Sequence, residues 1–452
     1  MKNTKSQFNK LTHLLLVVAL IGLISSCKKT TYEPPPPPPH FPISADVIVN
    51  WNSLVSRIDL DNDDFRPCPI TSILAYTALA NYETCVPGLA DYKSIAGNYQ
   101  GLVIPKFNFK LSDINWEIVL NVSTAYMYKH YFPQYYVMID SLEATLLIKY
   151  EKNVDQNIIT TSINWGQSVA EAVFNYSKTD LITFEGYLNP FPSYIIKSGS
   201  AYWEPTPPEF LKAKFPQWGK ARTFAITEYD KFVPEPLAFS TDTNSQYYMQ
   251  ALEIYTRSVI GNDYDSWIAD FWSDDIANIT FSPAMRWLVI ANQVYESSIC
   301  NLEKALVTNT KICLALNDAT VACWDQKYKY QVERPVTYIR KYIDPDYKTG
   351  LTTIGLTPNS PSYPSFHGTI AGSVAEVLTH EFGEDFEMTD RCHEGNINFN
   401  GTPRSFPNFY AMAEECALSR IPLGVNFRMD ETSAVTLGYS IGRKVNKLPF
   451  IK

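Results

Sequence analysis

The sequence lacks a cationic excess. Its 38 Lys and Arg stand against 47 Asp and Glu, a formal net charge of −9, and an acidic body repels the phosphate backbone that a nucleic-acid partner would present. Past residue 41 there is no Gly/Ser linker, no run of like charge and no internal repeat, so nothing marks a division into tandem modules. Period-two alternation is rare and short, which excludes a sheet-dominated architecture. After residue 27 no apolar run approaches the roughly 20 residues that a spanning helix needs. Cysteine is present but unpatterned: Cys68, Cys85, Cys300, Cys313, Cys323, Cys392 and Cys416 are too irregularly spaced for a stapled small domain. They allow one or two bridges and leave at least one thiol unpaired.

What is there is helix and core. Hydrophobic residues make up 45% of the chain and aromatics 14%, with 29 Tyr and 24 Phe, enough for a large interior. Ile70, Ile73, Leu74, Thr77 and Ala78 share one helical face, as do Ile370, Val374, Val377, Leu378 and Phe382. Trp287, Ile290, Ala291 and Val294 make a third face, and Tyr410, Ala413, Ala417 and Ile421 a fourth. Proline-rich breaks at 190–192, 205–208 and 361–364 punctuate them. The pattern predicts an all-α fold, a large helical bundle of ten or more helices over residues 41–452.

The start of the chain is a separate signal. Lys2, Lys5 and Lys10 precede the apolar stretch Leu14 to Ile24, and Ile24-Ser25-Ser26-Cys27 reads as a lipobox. Residues 1–26 are therefore expected to be a lipoprotein signal peptide. Cys27 would carry the lipid, and residues 27–40 would form a spacer stiffened by Pro34–Pro39. The expected location is an exported body held to a bacterial membrane, on its periplasmic or cell-surface face, through the lipid alone.

Three short pieces within 324–430 carry chemistry. Lys327 and Arg334-Pro335 are seven positions apart; a helix ending near Arg334 would set both cations toward one anion. Arg presents a planar fork to tetrahedral oxyanions and Lys a compact charge. Ser365-Phe366-His367-Gly368 follows a proline-punctuated loop and opens a helix, where unpaired backbone N–H groups can take an anion. Ser365 adds a hydroxyl and His367 an acid–base group that works near neutral pH. Arg420 lies at the end of a helix that Pro422 and Gly424 break, with Asn426 six residues on. Singly, each has a structural explanation: a solvated basic stretch, a serine N-cap, an Arg on helix carbonyls.

In this order the pieces resemble the K-x6-R-P, P-S-G-H and S-R-x5-H signatures of vanadium-dependent haloperoxidases and type 2 phosphatidic acid phosphatases. The resemblance extends over most of the chain. Arg66-Pro-Cys-Pro, Ala75 to Glu83, Trp203 to Pro208, Pro216 to Gly219, Phe271 to Asp275, Ala322 to Lys327 and Gly401 to Phe406 resemble the soluble bacterial haloperoxidase branch. This implies a helical domain in which Lys327, Arg334 and Arg420 neutralise bound vanadate. Ser365 and the Phe366 N–H would bond its oxygens, and His367 would serve as acid–base in peroxide-driven halide oxidation. No direct bond from these residues to the metal is implied.

Two positions depart from the family pattern. Phe366 stands in place of Gly, which narrows the pocket or forces a different backbone angle. Asn426 stands where the family has its ligand or nucleophile histidine, and an amide nitrogen has no lone pair for either task. His393 is a further histidine that could swing in. The expected function is an exported vanadium-dependent haloperoxidase-like protein. The alternatives are a catalytically impaired oxyanion-binding lipoprotein, because of Asn426, and an acid-phosphatase-like phosphomonoesterase. Vanadate is the implied cofactor. A small oxyanion, peroxide and halide are the implied partners, nucleic acid is not one, and a homodimer is admitted but not required.

Overall fold

The starts of most helices are written into the sequence as short polar caps. The side chains of Asn115, Asp155, Ser245, Ser282, Asn301 and Asn408 each accept a first-turn N–H of the helix they precede. The computed structural model describes residues 43–276, 278–353, 357–397 and 401–452. The lipobox, Cys27 and the proline run lie outside those residues.

The described residues form α1 Asp46–Asp61, α2 Pro69–Cys85, α3 Trp116–Tyr131, α4 Tyr136–Tyr150, α5 Gln156–Ser177, α6 Gln246–Tyr255 and α7 Asp263–Phe271. They continue with α8 Pro283–Ser297, α9 Leu302–Tyr330, α10 Pro335–Tyr342, α11 Phe366–Phe382, α12 Phe409–Leu418 and α13 Arg428–Asn446. One antiparallel pair, β1 Met388–Asp390 with β2 Arg404–Phe406, aligns Met388 with Phe406 and Asp390 with Arg404. The fold is all-α. No helix among the described residues is long and apolar enough to cross a membrane.

α9 is the axis of the bundle. Its 29 residues are buried on nearly every side, and α2, α8, α11 and α13 pack against it. A helix surrounded in this way must satisfy its polar side chains inside the protein. Asp318 does so by accepting the backbone N–H groups of Phe224, Ala225 and Ile226, which ties an otherwise irregular loop to the core. α11 and α13 approach closely because Gly372 and Gly438 face one another's backbone; a Cβ on Gly438 would overlap the Thr369 carbonyl oxygen. That contact brings the first turn of α11 against the first turn of α13, and Ser365 N–H donates to the Asp430 carbonyl at 3.2 Å.

The four periodic faces lie on α2, α8, α11 and α12, with two corrections. α12 stops at Leu418, so Ile421 belongs to the turn beyond it. Lys327 and Arg334 do not share a helix: α9 ends at Tyr330, Gln331 adopts a left-handed conformation (φ 55°), and Arg334 is the N-cap of α10. The seven described cysteines are all free thiols, so none of the bridges that their number allowed is formed.

Candidate oxyanion site

Each cation is anchored by the loop it faces. Lys327, in the last turn of α9 and 1% exposed, donates to the carbonyls of Pro361 (2.7 Å) and Ser362 (3.0 Å). Arg334 donates through Nε to the Ser360 carbonyl (2.8 Å) and through Nη2 to Ser360 Oγ (3.1 Å). Its Nη1 reaches the Val425 carbonyl at 3.0 Å. Proline punctuation explains this use of loop 358–364: prolines there free carbonyls from regular structure, and buried carbonyls take whatever donors are near. Arg420 sits in the turn after α12, where Gly424 (φ +86°) lets the chain reverse. Its Nη1 donates to the Trp272 carbonyl at 3.1 Å, while its buried Nε has no protein partner.

These side chains line one cavity of about 280 Å³, together with Phe366, His367 and Asn426. The first turn of α11 supplies its floor, where the N–H groups of Phe366 and His367 have no intrahelical acceptor. His367 Nε2 is buried and without a partner. Ser365 is different. It is fully buried, its Oγ accepts the Gly368 N–H at 3.3 Å, and it lies just behind the cavity wall rather than on it. Phe366 keeps an ordinary helical backbone, so no unusual angle is forced. Its ring meets Trp324 edge-on at 5.0 Å and narrows the space.

The electrostatics are those of a buried cage of cations. Burial pushes Lys327 down to about 8 and Arg334 down to about 10, and it lowers Arg420 as well. Burial, followed by the charges of Arg420, Arg286, Lys327 and Arg334, drives His367 well below its ordinary value. A bound anion would reverse the charge contribution at every one of these groups.

Asn426 is locked in orientation. Its Nδ2 donates to the Ser362 carbonyl (3.0 Å) and Asp430 Oδ2 (3.1 Å), leaving Oδ1 at 3.5 Å from Arg334 Nη1. Two acceptors on one side and a guanidinium on the other fix which amide atom faces which way.

A family model for the second helical-bundle domain of vanadium chloroperoxidase matches residues 309–449, which contain every member of the cage. Among solved structures, a bacterial vanadium-dependent iodoperoxidase superposes with a TM-score of 0.80 at 26% identity, covering 91% of this chain and 98% of that one. Residues 309–449 thus match that family model, and the fold is that of the vanadium haloperoxidases. The holo and apo forms of a bacterial vanadium-dependent chloroperoxidase share its fold, with TM-scores of 0.68 and 0.65 at 15% and 16% identity. They cover 90% and 86% of this chain and 98% of each of theirs. No curated protein matches the chain.

The haloperoxidase fold also brings in residues that the sequence reading left unassigned. Asp274 and Asp275 line the cavity, as does Lys214, which is a fourth cation at its edge. The Phe271 to Asp275 stretch was part of the resemblance, but its place in the site could not be read without the turn after α7. Lys214 has no local signal at all. His393 does not line the cavity. Its Nε2 stands 3.3 Å from Arg286 Nη1 and 3.7 Å from Asp274 Oδ1, and its ring stacks on Phe281. It is held behind the Asp274 side of the wall rather than filling the place of the missing imidazole.

Proposed function

We propose that this chain is an exported, lipid-anchored oxyanion protein that uses vanadate to drive the oxidation of halide by peroxide. The observation that carries the reading is the convergence of Lys327, Arg334 and Arg420 on one cavity whose floor is a helix N-terminus and His367. The residues fit an oxyanion by a donor count. Lys327 keeps one ammonium hydrogen beyond its two carbonyl bonds, and Arg420 has committed only Nη1. Bound vanadate would supply a Lewis-acid centre that polarises peroxide. The chain's own residues do the rest. The three cations offset the ligand's charge, the Phe366 and His367 N–H groups bond its oxygens, and Trp324 and Phe366 restrict water. Neutral His367 is placed to take a proton at Nε2. The iodoperoxidase and chloroperoxidase that share the fold are vanadium-dependent, which supports vanadate as the ligand. The lipobox at Cys27 supports export and anchoring.

A second reading, a non-catalytic oxyanion binder, is favoured by the Asn426 geometry. Its nitrogen is committed to Ser362 and Asp430 and offers nothing to vanadium or phosphorus. The same absence removes a covalent phosphatase route through this position. One substitution separates the readings. The native protein and Asn426→His are titrated with vanadate, then assayed for bromide and iodide oxidation by peroxide. Turnover by the native protein is expected, at least tenfold below the histidine variant, on the order of one lost ligand interaction. Turnover by the variant alone would establish the binder instead. Failure of both to bind vanadate would remove the oxyanion assignment.

A further inference from the structure

The mouth of the cavity is built differently from its floor. Two loops are stitched together there: Phe215 N–H donates to the Pro190 carbonyl at 2.7 Å, and Lys214 N–H to the Asn359 carbonyl at 3.0 Å. The stitching sets Phe191 and Leu211 on the rim, 42% and 36% exposed, and Pro67 and Ile276 line the cavity with them. Large apolar side chains left in water at the entrance to a cage of cations satisfy no packing need. Such a rim suits an apolar body entering the cavity.

Lys214 stands in this rim with its backbone fixed and its head group uncommitted. Its carbonyl accepts the Tyr328 hydroxyl at 2.7 Å and Trp324 Nε1–H at 3.3 Å, which pins the residue to the last turns of α9. Its ammonium lies 5.7 Å from the centroid of the Phe215 ring. Among the described residues that ammonium has no hydrogen bond and no carboxylate within ion-pair reach. The other three cations of the cavity already hold carbonyls. The two carboxylates in the lining have arginine partners of their own, Asp274 with Arg286 at 3.0 Å and Asp275 with Arg66 at 3.7 Å. Lys214 is thus an unneutralised charge beside an apolar rim.

We propose that the mouth binds a single aromatic ring bearing a carboxylate, and that Lys214 is the residue that selects it. The carboxylate meets the Lys214 ammonium, and the ring lies against Phe191, Leu211 and the wall of Trp324 and Phe366. Size agrees with one ring: a cavity of about 150 Å³ holds benzene, so about 280 Å³ takes one ring beside an oxyanion and not two. The inference rests on the proposed halide oxidation, for which it names the organic acceptor. Halide, peroxide and a proton give hypohalous acid and water. A ring activated by a hydroxyl group then attacks the halogen, so that a carbon–halogen bond forms as the oxygen–halogen bond breaks. The ring is oxidised and the halogen reduced, and the ring proton leaves with the released hydroxide as water. A phenolic carboxylate is therefore the substrate class.

The test is calorimetric, on the full chain with the cage saturated by inorganic phosphate, so that an added carboxylate cannot occupy the cage. The probes are para-hydroxybenzoate and para-hydroxybenzamide, alike in shape and different in charge. The native chain should bind the acid about tenfold more tightly than the amide, the value of one charge-assisted bond. Lys214→Gln should bring the two within about twofold while its Kd for phosphate stays native. Phe191→Ala should weaken both probes alike, by about threefold, because it removes ring contact and no charge. Equal native affinities for acid and amide, or an acid preference that survives Lys214→Gln, would overturn the inference and leave the oxyanion site in place. With vanadate, bromide and peroxide, an equimolar mixture of the probes should give the native protein an excess of brominated acid that Lys214→Gln loses. The same product ratio from both would overturn the acceptor role. Absence of phosphate binding by the native chain would instead remove the oxyanion reading, and this inference with it.

Discussion

At the scale of the residue, the cage works against its own histidine. Burial and four surrounding cations hold His367 neutral where a solvated histidine would begin to charge. Its folded pKa lies below the ordinary 6.5, so in acid the unfolded chain binds the proton that the folded chain refuses. Its contribution to stability is therefore level above about 6.5 and is lost as pH falls below that value, with a slope of up to about 1.4 kcal/mol per pH unit. His367→Gln should flatten this part of the stability–pH curve, measured by denaturant midpoints without added anion. Saturating phosphate should flatten it in the native protein too, because an anion in the cage restores the charged form. An unchanged slope in both would mean that His367 is not held neutral. Residue type was legible in the sequence: Lys327, Arg334, Arg420 and His367 all reach the cavity. Glu431 and Asp274 were not legible, because what singles them out is burial against partners far away in the chain.

At the scale of the element, the site depends on how closely helices approach. Periodicity located α2, α8, α11 and α12, and cap chemistry fixed where many helices start. The break after Tyr330 was hidden, since a left-handed Gln331 carries no sequence mark of the kind that Gly would. Its effect is to turn Arg334 onto α10, so that the two cations approach from different elements and not from one helical face. The α11–α13 contact sets how closely the first turns of the two helices approach, and Gly438 sets the contact. Gly438→Ala should cost about 2–3 kcal/mol by overpacking against the Thr369 carbonyl. Gly97→Ala, where an added Cβ meets nothing within 4 Å, should cost well under about 1 kcal/mol. Urea midpoints of the two variants check this; similar values would mean that the α11–α13 seam yields easily.

At the scale of the molecule, the cage is a long-range assembly. Its cations come from the end of α9, the cap of α10 and the turn after α12, each tethered to carbonyls of another segment. An anion that joins all three binds only the folded chain, so it should raise the melting temperature. At about one hundred times its Kd, phosphate or vanadate should add about 2.7 kcal/mol of stability. Chloride at the same ionic strength should add little, and Arg420→Ala should lose most of the gain. Scanning calorimetry with the two salts checks this, and equal shifts would reduce the effect to ionic strength.

The sequence by itself determined the helical class, the caps, the identity of the cage residues and the two departures at Phe366 and Asn426, because these follow from local periodicity, local hydrogen bonding and residue chemistry. Only the tertiary structure decided that residues 93 positions apart face one cavity and that Ser365 is buried away from its lining. It also decided that the Asn426 nitrogen is spent on Ser362 and Asp430, and that the Glu431 carboxyl is buried. Convergence and burial are properties of packing, and no spacing along the chain encodes them.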